Sequence, residues 1–262
     1  MNTTVIIPAA GQGTRLRPLT DNCPKCLVPL HGRPLLSWQL GALRQWDLQV
    51  GVVRGYLGHQ IQFEGVEMRD NPDYSVTNMV RTIMCAEDLF GSHMIISYGD
   101  IVYEPSVIGA LLRSQAAVSV VVDTQWLPYW QQRFDRPLDD AETLRLEGTR
   151  IMEIGGKATD LSQIEGQFIG LVSFRGVGLS WMRAVCEEAK RLQAKGQRLP
   201  GCPRGFDDLY TTDLLQALIA QGRPVQAVWT EGKWLEVDSV SDRDLGESLS
   251  HPTDEGWLSI AR

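Results

Sequence analysis

The run Val5-Ile6-Ile7-Pro8-Ala9-Ala10 leads directly into Gly11-Gln12-Gly13-Thr14-Arg15-Leu16-Arg17-Pro18. Glycines at such a turn let backbone N–H groups converge on an anion, and the missing Cβ lets phosphate oxygens come close. Arg15 and Lys25 follow on a polar stretch, where a long cation reaches back to a bound polyphosphate. Two other glycine-loop chemistries lose ground: Leu16 stands where GxGxxG needs its third glycine, and no GxxxxGK followed by Ser or Thr occurs. For the glycines alone, a tight strand-to-helix turn with solvated cations is the alternative.

Two acids could add a metal. Ile95-Ile96-Ser97-Tyr98-Gly99-Asp100 and Trp234-Leu235-Glu236-Val237-Asp238 are apolar runs that each close on an aspartate. A carboxylate at the carboxyl end of a parallel strand lies where α/β proteins bind ligands. Mg2+ prefers hard oxygen donors and takes one or two carboxylates beside substrate phosphates. Taken singly, either acid reads equally as a helix cap or loop residue. Asp123, closing the β-branched run 118–122, is a further candidate for an acceptor pocket, with a turn residue as its alternative. Cys23-Pro24-Lys25-Cys26 has zinc-knuckle or redox spacing, but no second pair completes a four-ligand site. The five cysteines, an odd number, read as reduced thiols.

The elements that must position these groups alternate strand-like and helix-length patterns, which implies a parallel sheet covered by helices. Strands are expected over 4–9, 49–54, 93–97, 117–123, 150–154, 167–174, 224–229 and 233–237, and helices over 34–46, 78–89, 179–194 and 206–220. The aromatic-rich segment 126–134 breaks the alternation, so the chain is expected to leave the central sheet there. The stretch after Asp244 reads as a loosely held helix or partly disordered tail. The chain has 262 residues, 43% hydrophobic and 22% charged, enough for one large core. A net charge of -7 argues against a nucleic-acid partner. The opening segment 1–10 lacks a targeting pattern and no run is long enough to span a bilayer, so no membrane partner and a cytoplasmic location are expected.

Ala9-Ala10-Gly11-Gln12-Gly13-Thr14-Arg15-Leu16-Arg17-Pro18-Leu19-Thr20, followed by Pro24-Lys25-Cys26-Leu27-Val28-Pro29, resembles the signature of the sugar-phosphate nucleotidylyltransferases. The likeness continues through Gly32-Arg33-Pro34-Leu35-Leu36 and Val52-Val53-Arg54-Gly55-Tyr56, and thins after the first hundred residues. It implies an α/β fold of the nucleotide-diphospho-sugar transferase type: a Rossmann-like, mostly parallel sheet flanked by helices, with a small substrate-side insertion. It also implies a nucleotidyltransferase domain over 1–245 with a C-terminal tail over 246–262. Carried over residue by residue, it makes Lys25 and Arg15 catalytic and assigns Ala10, Gly11, Gly13, Thr14, Tyr56 and Asn78 to the nucleotide. Asp100 and Asp238 match the family's two Mg2+ aspartates.

Asp70-Asn71-Pro72-Asp73-Tyr74-Ser75-Val76-Thr77-Asn78-Met79 departs from the hexose-phosphate enzymes and resembles the phosphocholine cytidylyltransferase branch; Thr77 or Asn78 also suits a helix N-cap. Segments 121–123, 126–133, 137–144 and 153–158 look most like cytidylyltransferases acting on phosphorylated amino acids or amino alcohols, including phosphoglutamine in capsule assembly. The resemblance thus implies CTP, or another nucleoside triphosphate, and a small phosphorylated metabolite as partners. Lys157 is carried over as a phosphate contact. Trp126, Tyr129 and Trp130, with Trp229 and Trp234 nearer the late acid, could wall an ammonium group by cation–π contact or simply fill the core. Three readings stay open: a sugar-1-phosphate nucleotidylyltransferase using UTP, dTTP or GTP, a catalytically silent nucleotide-binding regulator, and a nicotinamide oxidoreductase. The second would be expected to lack Lys25 or the acids, which are all present, and the third fails on the glycine motif. The oligomeric state, the acceptor and the pathway are not legible.

Overall fold

A computed structural model describes residues 3–262, so residues 1 and 2 of the opening segment lie outside the described residues. A nine-stranded sheet is built from β1 (Thr3–Ala9), β2 (Gln49–Arg54), β3 (Glu67–Asp70), β4 (His93–Ser97), β5 (Val118–Asp123), β6 (Glu142–Glu147), β7 (Arg150–Lys157), β8 (Gln167–Arg175) and β9 (Gln226–Thr230). Its order is β3-β2-β1-β4-β8-β5-β9-β7-β6. Pairings β1–β2, β1–β4, β2–β3 and β5–β9 are parallel. Among the described strands only β7 and β8 run against the rest, giving the mostly parallel sheet that the resemblance implies.

Among the described residues, seven α-helices accompany the sheet: α1 (Leu35–Leu43), α2 (Met79–Met84), α3 (Pro105–Arg113), α4 (Trp126–Arg133), α5 (Val177–Gln193), α6 (Thr211–Ala220) and α7 (Val240–Leu249). Successive side chains of a strand point to opposite faces, and β1 follows the rule. Val5 and Ile7 join α1, α3 and α4 in one apolar layer, while Ile6 joins α2, α5 and α6 in the other. Each fully buried aliphatic side chain of β1 contributes about 1.5–3 kcal/mol. That burial anchors the strand whose end carries the glycine loop.

The differences from expectation have local causes. The helix expected over 78–89 stops at Met84 and gives way to a 3-10 turn Glu87–Leu89. The helix expected over 206–220 is a 3-10 turn Phe206–Asp208 followed by α6. Segment 126–134 is the helix α4, because Trp126, Tyr129 and Trp130 at i, i+3 and i+4 form one buried face. Strands β3 and β6 were not expected: both are largely polar edge strands, without the β-branched run that marks a central strand. The tail opens as helix, the end of α7 through Leu249, and continues as folded strand, not as disordered chain. Ser250–Pro252 and Leu258–Ile260 pair as a hairpin, Leu258 is buried, and Arg262 Nη2 bonds Asp123 Oδ2 at 2.6 Å. No helix of the described residues is long and apolar enough to cross a membrane.

Candidate active site

The glycine loop leaves the carboxyl end of β1. Gly13 adopts φ 61 and ψ 44, a left-handed conformation, and a Cβ there would meet Lys25 Cβ at 3.0 Å. Glycine is therefore required twice, for backbone conformation and for the approach of the lysine. Around Gly11 nothing lies within 4 Å of where a Cβ would sit, so that side of the loop is open to a ligand. Thr20 Oγ1 donates to the Gly13 carbonyl at 2.8 Å, and Tyr56 ties the loop down through N–H to Ala10 O (2.9 Å) and hydroxyl to Asp21 O (2.9 Å). Ala10 and Tyr56 thus shape the loop from behind, whereas Gly11, Gly13 and Thr14 line its cavity with Lys25 and Asn78. Asn78 caps α2, its Oδ1 accepting from Met79 N at 2.9 Å.

Asp100 and Asp238 are brought together by a two-stranded ribbon. Trp234–Glu236 pairs antiparallel with Ile101–Tyr103, and Val237 N donates to Asp100 O at 2.9 Å. The register sets the two chain ends side by side. Lys25 Nζ donates to Asp100 Oδ2 at 2.6 Å and also to Asp238 Oδ1. Arg15 donates to Asp238 Oδ2 and lies 3.8 Å from Asp140. Burial works against the Lys25 ammonium, yet the two aspartates outweigh it and hold its pKa above the ordinary lysine value. Burial would likewise raise the Asp238 carboxyl, but Lys25 overrides it and the group sits below the usual range.

Glu236 is a third acid that sequence reasoning left unassigned. Ligand oxygens of Asp100, Glu236 and Asp238 all lie within 4.8 Å of one another. The signal was present, because two-residue periodicity puts Glu236 and Asp238 on the same strand face. Burial pushes the Glu236 carboxyl up to about 7; Arg133 opposes this, and repulsion from Asp238 and Asp100 adds to it. Three hard oxygen donors suit Mg2+. The fit is supported by Asp100 Oδ1, which is buried without a hydrogen-bond partner.

A second cavity adjoins the first and shares Arg15, Met79, Asp100 and Asp238 with it. Its remaining wall is aromatic and acidic, including Tyr98, Trp130, Trp234, Glu142 and Glu236. Trp130 Nε1 is held by Asp140 Oδ2 at 3.1 Å. Glu142 reaches solvent at the mouth but is crowded elsewhere, and desolvation followed by repulsion from Asp140 and Asp213 pushes its carboxyl up to about 7.

Other expected residues are not brought to this point. Asp123 is fully buried and accepts from Gly232 N, Gln125 N, Trp234 Nε1 and Arg262, so it braces the ribbon beneath the cleft. Trp126 is a core residue packed edge-on against Trp130 at 5.9 Å. Lys157 is exposed on β7, in register with Glu142 but outside the cavity lining. Trp229, expected near the late acid, is 40% exposed and borders a separate depression with Ser106 and Lys233.

Comparison with known proteins identifies the family of the chain. The family model of MobA-like NTP transferase domains matches residues 5–159. CTP:phosphoglutamine cytidylyltransferase of Campylobacter jejuni subsp. jejuni serotype O:2 is 35% identical over 252 residues, covering 92% of this chain and 97% of that protein. CMP-5'-(3-aminopropyl)phosphonate synthase of Streptomyces rubellomurinus is 31% identical over 132 residues, covering 47% of this chain but only 21% of that protein. Among solved structures, CTP:phosphocholine cytidylyltransferase from Streptococcus pneumoniae superposes with a TM-score of 0.71 at 20% identity, over 95% of this chain and 99% of that one, a likeness of fold. The nucleotidyltransferase signature read from the glycine loop is thus borne out, and the chain belongs to the family of MobA-like NTP transferase domains.

Proposed function

We propose that the protein transfers CMP from CTP to the phosphate of a small phosphorylated amino acid or amino alcohol, or to a related phosphonate, with Mg2+ as cofactor and pyrophosphate as the second product. One observation carries this reading: Arg15, Asp100 and Asp238 belong to both cavities, so a nucleotide on the glycine loop and an acceptor in the aromatic chamber would meet at these charges. The choice of CTP is supported by the two relatives, one a CTP:phosphoglutamine cytidylyltransferase and the other a synthase of a CMP-linked phosphonate. The reading places the enzyme in the cytoplasm and its CMP-activated product in cell-surface polysaccharide assembly.

Two anions must meet, so their repulsion has to be offset by charges in place before reaction. Asp100, Glu236 and Asp238 would hold Mg2+, which supplies positive charge to the phosphate oxygens. Loop amides around Gly11 and Gly13 receive the triphosphate. Lys25 exchanges a carboxylate partner for the reacting phosphate, and Arg15, whose side chain is 61% exposed, is free to turn towards the leaving group. An acceptor phosphate oxygen forms a new bond to the α-phosphorus as the bond from that phosphorus to the bridging oxygen breaks. The electron pair leaves with pyrophosphate, and no covalent enzyme intermediate is needed. Glu142 offers an ammonium group negative charge in a chamber lined by Trp130 and Trp234.

The reading is tested by pyrophosphate release with four nucleoside triphosphates against phosphoglutamine, phosphocholine, phosphoethanolamine, aminoethylphosphonate and hexose 1-phosphates. CTP with a nitrogen-bearing acceptor is the expected productive pair. Product only from UTP or dTTP with a hexose phosphate would contradict it.

A further inference from the structure

Arg133 lies in the last turn of α4 with no side-chain exposure, and the reaction outlined above gives it no task. Its Nη1 donates to Glu236 Oε2 at 2.5 Å and its Nε to Asp242 Oδ1 at 2.9 Å. Asp242, itself 4% exposed, is the acid of the α7 capping box, and its Oδ2 accepts from Ser239 N at 2.9 Å and from Asp238 N at 3.2 Å. One guanidinium thus holds the side chain of one cluster acid directly and the backbone of another through Asp242. Tyr129, one turn earlier, completes the clamp: its hydroxyl accepts from Glu236 N at 3.1 Å. The guanidinium also lies 5.1 Å from the Trp130 ring centroid, so the helix that walls the acceptor chamber is the one that grips the acids.

We infer that Arg133 is the positioning residue of the acid cluster, fixing Glu236 and Asp238 in the arrangement that receives a divalent cation, without touching substrate itself. The planar fork explains why arginine stands here: it engages two carboxylates in fixed directions, which a lysine ammonium on a flexible stem does not. Residues that orient metal ligands from behind typically change metal affinity or activity by about 10–100-fold when removed. The inference rests on the proposed metal role of the acids, and its test separates the two.

Mn2+ alone serves as the probe, its binding followed by electron paramagnetic resonance and set beside near-UV circular dichroism and thermal melting. Wild type is expected to bind Mn2+, Arg133→Met to bind it at least about tenfold more weakly, and Arg133→Lys to recover part of the loss. In turnover, the activating Mg2+ concentration should rise in the same order while KM for CTP at saturating metal moves less than about twofold. Replacing a buried charge between two acids can prevent folding. Should Arg133→Met fail to fold, Arg133→Lys and Asp242→Asn carry the test, each expected to weaken Mn2+ binding about threefold or more in a folded protein. Folded variants that bind Mn2+ as tightly as wild type would overturn the inference while leaving the metal site standing. A wild type that does not bind Mn2+ would overturn both.

Discussion

Lys25 Nζ lies 2.6 Å from Asp100 Oδ2, the 3-10 turn Lys25–Leu27 meeting the segment that follows β4. That pairing places one cation where the glycine-loop cavity and the acid cluster adjoin. Lys25→Ala should lower turnover on the order of a hundredfold or more, the usual scale for removing one preorganised electrostatic group. Steady-state pyrophosphate release checks this, and near-full activity would remove Lys25 from the mechanism.

Asp100→Asn keeps the shape of the side chain and removes its charge. The variant should lose the Mg2+ dependence of product formation, because a neutral amide is a poor partner for a hard dication. A Mg2+ titration indistinguishable from wild type would refute the ligand role.

Acceptor selectivity should respond to a glycine in the pocket wall. Gly170 has φ 87, and a Cβ there would meet Tyr98 Cγ at 2.7 Å, while Tyr98 lines the cavity proposed to take the acceptor. Gly170→Ala is expected to displace the ring and raise the acceptor KM severalfold, with the CTP KM within about twofold; the strained backbone costs about 1–3 kcal/mol. Equal rises in both constants would contradict the assignment of that chamber.

Stability should depend on pH through His93, at the start of the strand that leads to Asp100. Its ring is 1% exposed and bonded to Thr3 Oγ1 and Ser173 Oγ, and burial, with Arg175 nearby, depresses its pKa to about 4. A depressed folded pKa means stability that is present above the ordinary imidazole value and lost as pH falls from about 6.5 through 4. The loss amounts to as much as about 3 kcal/mol. Melting curves of wild type and His93→Gln between pH 7 and 4 should converge as pH falls; a constant gap would show that His93 does not titrate in that window.

The central sheet was legible because β1, β2, β4, β5 and β8 are apolar runs bounded by turn residues, and burial on both faces demands that pattern. Helix α4 went unassigned because its aromatic run registers as a break in the alternation, and only the spacing of Trp126, Tyr129 and Trp130 marks it as a helix. At the site, Lys25 and the two aspartates were visible as local motifs. Their convergence depends on the pairing of Trp234–Glu236 with Ile101–Tyr103, a long-range register that no local pattern encodes. Arg133 went unassigned for the same reason, since its partners Glu236 and Asp242 are distant in the chain, whereas Glu236 had a local signal in its two-residue spacing from Asp238. Asp123 was expected in the acceptor pocket on the strength of its place at a strand end, but Arg262 and Trp234 fold over it.

The most direct test of the account follows the α-phosphorus. With CTP radiolabelled at that position, Mg2+ and a phosphorylated amino acid or amino alcohol, the label should appear in a CMP–acceptor phosphoanhydride, with unlabelled pyrophosphate released in equal amount and none bound to protein. Label recovered only as free CMP, or covalently on the enzyme, would contradict direct transfer between two anions held at Lys25, Asp100 and Asp238.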